Sequence, residues 1–177
     1  MSISANEKFN LRGDLRIIRR CANTGATLDV WEKKNVITFG GTDLLVRLMA
    51  PNAAFGANVQ EESQIKSIRL GVDNTTPQRT DTVLSSEALV GGIPVRVELF
   101  DANRVPGASG TVEYTAVLGA LDGNGVTYRE AGLFSRGTLD NPQTTVGATM
   151  FSRQVFPDQP KTAAVTLTFA WRITFSV

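Results

Sequence analysis

Histidine is absent from this 177-residue chain, and cysteine occurs once, at Cys21. Without histidine there is no Ser-His-Asp or Cys-His nucleophile and no histidine-containing metal centre. A single cysteine excludes an intramolecular disulfide and a thiolate zinc cluster, and Cys21 reads as a small buried hydrophobe in reducing surroundings. An excess of charge is missing too: 18 lysines and arginines face 17 aspartates and glutamates. Duplex binding draws most of its affinity from basic side chains that neutralise phosphates, so no nucleic-acid partner is expected. Low net charge removes the self-repulsion that keeps free subunits apart, which suits a subunit docked in an assembly. No apolar run approaches bilayer-spanning length, and residues 1–8 lack the apolar core of a signal peptide. The expectation is cytoplasmic synthesis without membrane insertion.

What the chain does have is alternation. Val165, Leu167, Phe169, Trp171, Ile173, Phe175 and Val177 alternate with small or polar residues, the period-two pattern of a strand with one buried face. At ~3.3 Å per residue this run spans about 40 Å, long enough to bend at a sheet corner or to reach a neighbouring subunit. Shorter alternating runs cover residues 93–99 and 112–118, and a further strand is read over 126–135. Asp122-Gly123-Asn124-Gly125 supplies turn residues between the last two, predicting a hairpin. Residues 15–21 and 27–32 flank Asn23-Thr24-Gly25 as a second predicted hairpin. Residues 65–72 and 148–156 complete the strands. Short strands with glycine-rich turns point to a mainly β fold, an antiparallel β-sandwich or partly open barrel.

One segment carries helical spacing. Thr42 reads as the cap and Asp43 as the acidic first-turn residue. Leu44, Leu45, Leu48 and Met49 fall on one face before Pro51, so a single short helix is predicted near residues 42–50. Residues 73–86 and 136–146 read as long loops. Residues 1–13 are polar and aperiodic and read as an N-terminal arm that orders on a partner, leaving 14–177 as a single domain.

No catalytic constellation assembles. Glu61, Glu62, Glu113, Glu130 and Asp158 keep two-carboxylate hydrolysis open in principle, but nothing in their spacing pairs them. Asp122–Gly125 resembles a calcium loop without its further acidic ligands and reads as a turn. Arg12-Gly13-Asp14 is a tripeptide of common residues. No cofactor and no metal are expected. The candidate partner contacts are Arg16, Arg19 and Arg20, a basic cluster on an edge strand, and Trp31, which lies out of step with Leu28 and Val30. Trp31 is also the side chain best placed to stack on a sugar, whereas Phe169, Trp171 and Phe175 share the apolar stripe and read as core.

Three blocks together resemble tailed-bacteriophage virion proteins and the N-terminal domains of tail fibres. The first is Asn35-Val36-Ile37-Thr38 with Gly40-Gly41 and Leu44-Leu45. The second is Ile68-Arg69-Leu70-Gly71-Val72, then Pro77, Thr80-Asp81-Thr82-Val83-Leu84 and Glu87. The third is Tyr128-Arg129-Glu130-Ala131-Gly132-Leu133-Phe134-Ser135. Met150-Phe151-Ser152-Arg153, Lys161-Thr162 and residues 167–175 resemble the closing strands of the same proteins. The resemblance implies a virion structural subunit of the tail, collar or baseplate that forms a homo-oligomer, a ring or a trimer, and docks to other tail proteins. Because no fibrous repeat follows within these residues, an adaptor is expected rather than a complete fibre. The alternative expectation is a module that binds a host-surface glycan. Gly71 is expected to permit a sharp exit from its strand, and Gly132 to mark a bulge or a close backbone approach.

Overall fold

The computed structural model describes residues 10–49, 63–99, 104–106, 110–136 and 147–176. It is mainly β, with antiparallel pairing throughout the named strands and one short helix among the described residues. In chain order the elements are β1 (Asn10–Cys21), β2 (Thr27–Lys34), β3 (Val36–Ile37), α1 (Phe39–Met49), β4 (Ile65–Gly71), β5 (Leu89–Val90) and β6 (Ile93–Pro94). They continue with β7 (Arg96–Glu98), β8 (Arg104–Pro106), β9 (Thr111–Leu118), β10 (Thr127–Ser135), β11 (Met150–Pro160) and β12 (Val165–Ser176). One five-stranded sheet, sheet A, has the order β2-β1-β12-β9-β8; the other, sheet B, has β3-β11-β10-β4-β7. Strands β5 and β6 form a separate two-stranded finger.

The long C-terminal alternation becomes β12, and its length is matched inside the chain. It pairs with β1 from Asn10↔Ser176 to Cys21↔Val165, and with β9 on its other side. Asn10–Gly13, read from sequence as part of the arm, are therefore strand. Gly13 is buried against the Asn35 side chain, which leaves no room for a Cβ there. The inward residues of β12 (Leu167, Phe169, Trp171, Ile173) meet Leu15 and Ile17 of sheet A and Ile68, Leu70, Ala131, Leu133 and Phe151 of sheet B in one core. Phe156 and Phe169 bridge the sheets with ring centroids 6.1 Å apart. Each fully buried large side chain contributes about 1.5–3 kcal/mol to this core.

Some expectations fail for identifiable reasons. The β1–β2 hairpin forms, with Gly25 at φ 72°. The hairpin across Asp122–Gly125 does not: β9 belongs to sheet A and β10 to sheet B, so this turn carries the chain between sheets. Its glycines 123 and 125 do take positive φ, and the Tyr128 hydroxyl donates to the Gly123 carbonyl at 2.7 Å. The run 93–99 splits because the Val95 backbone turns aside to Ala88 and Leu70. The helix begins at Phe39, not Thr42: the buried Thr38 hydroxyl accepts from the Gly41 amide at 3.0 Å and caps it. Of its expected apolar face only Leu44 is buried and Leu45 half-buried, while Leu48 and Met49 are exposed.

Candidate interaction surface

The two sheets turn outward faces of different character. On sheet A, the direct cross-strand neighbours Val30, Ile18, Thr168 and Val117 form one row over β2, β1, β12 and β9. Ile18 is half-buried and takes no part in the core, while Val30 and Val117 are about half exposed. Beside Val117 lies a groove of about 480 Å³ lined by Val90, Ile93, Val95, Val97, Leu118 and Leu121, among others. Leu121 is 88% exposed and Ile93 61%. The β5–β6 finger that forms its lip turns through Gly91-Gly92 at φ 58° and 82°, the paired positive angles that a two-residue hairpin requires. Single exposed hydrophobes are ordinary, but a row that continues into an apolar groove and finger is the pattern of an interaction surface.

The outer face of sheet B is covered by the chain itself. Residues 72–88 cross it, tied down by a buried ionic clamp. Glu130 on β10 is fully buried and accepts from the Ser85 and Ser86 amides at 3.2 and 2.8 Å. Arg153 on β11, 1% exposed, holds Glu130 Oε2 at 2.7–2.8 Å, Asp81 at 2.8 Å and the Ser85 hydroxyl at 2.8 Å. Charge-assisted bonds of this kind are short and directional, so they fix the loop's register on the sheet. Leu84 packs with Phe134 and Met150 below the loop.

The two glycines of the clamp make room for it. A Cβ on Gly71 would strike the Glu130 carboxylate and the Ser86 carbonyl, and one on Gly132 would strike Phe134 and Leu84. Gly71 is not among the positive-φ glycines, so its role is close approach rather than a sharp exit. At Gly132 the close approach holds, and the ladder passes through it without a bulge.

The four predicted contact residues separate onto two faces. Arg16 is exposed on the outer face of sheet A, beside the apolar row. Arg20 shares that face and donates to the Thr168 hydroxyl at 3.1 Å. Arg19 alternates inward and pairs with Asp29 at 2.8 Å. Trp31, expected as an exposed contact, instead faces the core and packs on Phe156 at 5.8 Å. The cause is strand parity: Val30 pairs with Ile18 on the outer face, so Trp31 must point in. Leu28, Val30, Val117, Leu121 and the finger were not legible as surface, because alternation shows that a strand has two faces and not which one is covered.

Among the carboxylates considered for hydrolysis, Glu113 pairs with Arg172 at 3.0 Å, Glu130 with Arg153, and Asp158 with Arg129 at 2.7 Å. The hydrogen bond from Arg129 holds the Asp158 carboxyl below its usual range. Glu61 and Glu62 lie outside the described residues, as do residues 1–9 and 137–146. In the Asp122–Gly125 turn, the buried Lys161 ammonium donates to Asn124 Oδ1 at 2.7 Å and the Thr162 carbonyl at 3.0 Å, so a side-chain cation occupies the loop. Burial lowers its pKa. Among the described residues no cluster of three potential metal ligands occurs, and no helix is long and apolar enough to cross a membrane. Comparison with protein-family models, curated proteins and solved structures finds no match to this chain.

Proposed function

We propose that this chain is a non-enzymatic structural subunit of a tailed-phage virion, which assembles with copies of itself and with neighbouring tail, collar or baseplate proteins. The observation that carries the assembly role is the apolar row Val30–Ile18–Thr168–Val117 with its adjoining groove and finger, left uncovered by the described residues while the other sheet face is covered. The virion context rests on the sequence resemblance. Its second and third blocks and Arg153 meet in one structural device, the Glu130–Arg153 clamp, which gives those residue types a shared physical purpose. Glycan binding loses its main support, since Trp31 packs against Phe156 instead of facing solvent.

Immunogold labelling of purified phage particles with an antibody to this chain tests the proposal. Label confined to the tail, collar or baseplate is expected; particles that lack the protein altogether would overturn it.

A further inference from the structure

The outer edge of a β-sheet leaves a row of backbone N–H and C=O groups that another strand can take up. Sheets A and B end in four such edges, and three are blunted. Sheet A ends on one side at β8, three residues long and closed by Pro106, which has no N–H. Sheet B ends at β3, of two residues, and at β7, of three. Short edge strands and proline are common guards against edge-to-edge pairing.

β2 has neither guard. It closes the other side of sheet A with eight residues, none of them proline, and no described strand lies beyond it. The ladder with β1 shows which of its backbone groups face out. The Asn35 amide donates to the Gly13 carbonyl at 2.9 Å, so, counting back in twos, Lys33 and Trp31 bond to β1. Val30, Glu32 and Lys34 therefore turn their N–H and C=O groups to the free edge, and all three residues are exposed.

The strand also complements itself. Its charge runs from Asp29 near the start to Lys33 and Lys34 at the end. Antiparallel pairing of two β2 strands about a two-fold axis sets each acidic start against the other's basic end. Asp29 bonds Arg19 as well, at 2.8 Å, so this attraction is modest and serves mainly to set direction. An axis perpendicular to the sheet keeps like faces together. The row Val117–Thr168–Ile18–Val30 of one copy then runs on into the same row of the other, with Val30 of each at the seam.

We propose that two copies of this chain pair through the free edge of β2, antiparallel and about a two-fold axis, joining their A sheets into one continuous sheet with a shared apolar face. The contact rests on the assembly reading above and specifies how two copies meet.

Hydrogen exchange followed amide by amide in the full chain tests it. In the multimer the Val30 and Glu32 amides should exchange about tenfold more slowly, or slower still, than in the monomer obtained by dilution. Trp31 and Lys33, bonded to β1, should be protected in both. Light scattering of Glu32→Pro supplies a second arm. Proline there removes an outward N–H and no bond to β1, so the fold should persist while the dissociation constant rises about tenfold or more. Fast exchange at Val30 and Glu32 in the multimer would overturn the edge contact and leave association through the outer face standing. Amides already slow in the monomer would also overturn it, since the same chain would then hold the edge. So would a folded Glu32→Pro that associates as tightly as the wild type. A wild type that is monomeric at every concentration would instead remove the assembly reading, and this contact with it.

Discussion

Sheet A and sheet B are built from the same strand chemistry and share one core, yet their outer faces are treated in opposite ways. Sheet B carries charge on its outer face, and the chain spends residues 72–88 on covering it: Glu130 and Arg153 are sealed beneath a loop whose amides and Asp81 complete their bonding. Sheet A carries valines, an isoleucine and threonines in the equivalent position and covers none of them with described residues. A buried ion pair must be satisfied within the fold, because a missing partner costs several kcal/mol. An apolar row costs little in isolation and gains when another surface removes it from water. Sheet B's outer face is thus a matter of folding, while sheet A's is the face left for the proposed association.

Removing one partner from the covered face should have the largest effect. Glu130→Ala strands Arg153 and the Ser85 and Ser86 amides, and should cost about 3–5 kcal/mol in denaturant unfolding. A loss below about 1 kcal/mol would mean that the clamp is not what fixes the loop. A second probe reports on the core beneath both sheets. Burial pushes the Tyr128 phenol up to about 12, above its usual ~10. A raised folded pKa means stability that is whole below pH 10 and is lost as pH climbs through 12, by roughly 2–3 kcal/mol in total. Ultraviolet titration should therefore show a late-ionising phenol that disappears in Tyr128→Phe.

Adding bulk under the loop comes next. Gly71→Ala pushes a methyl into the Glu130 carboxylate and the Ser86 carbonyl and should destabilise by about 1–3 kcal/mol, read as a lowered Tm. The smallest effect belongs to an ion pair of the same composition on the open face. Arg172→Ala breaks the exposed pair with Glu113 and should cost no more than about 1 kcal/mol. Comparable losses from Arg172→Ala and Glu130→Ala would erase the distinction between the faces.

Much of the fold was legible because alternation and turn residues are local. β12, the β1–β2 hairpin and the single helix all follow from spacing in the sequence. Strand partners were less so. Asp122–Gly125 has hairpin chemistry, but β9 and β10 find wider pairing on different sheets, and turn residues alone do not record that choice. The candidate site was half visible. Arg16 and Arg20 lie on the outer face of sheet A, whereas Trp31 faces the core, since Leu28 and Val30 carry the same period-two signal whether the stripe points in or out. The clamp left a trace as the resemblance blocks around Gly71, Asp81 and Glu130. Their meeting in space depends on residues up to 72 positions apart.

The most direct measurement is the solution mass of the purified chain by multi-angle light scattering over a range of concentrations, for the wild type and for Val30→Lys/Val117→Lys. These exposed positions lie outside the core, so the double variant should keep its unfolding midpoint nearly unchanged. A discrete multimer is expected for the wild type and a monomer for the variant. A wild-type multimer that the two lysines leave intact would contradict the assignment of sheet A's outer face as the assembly surface.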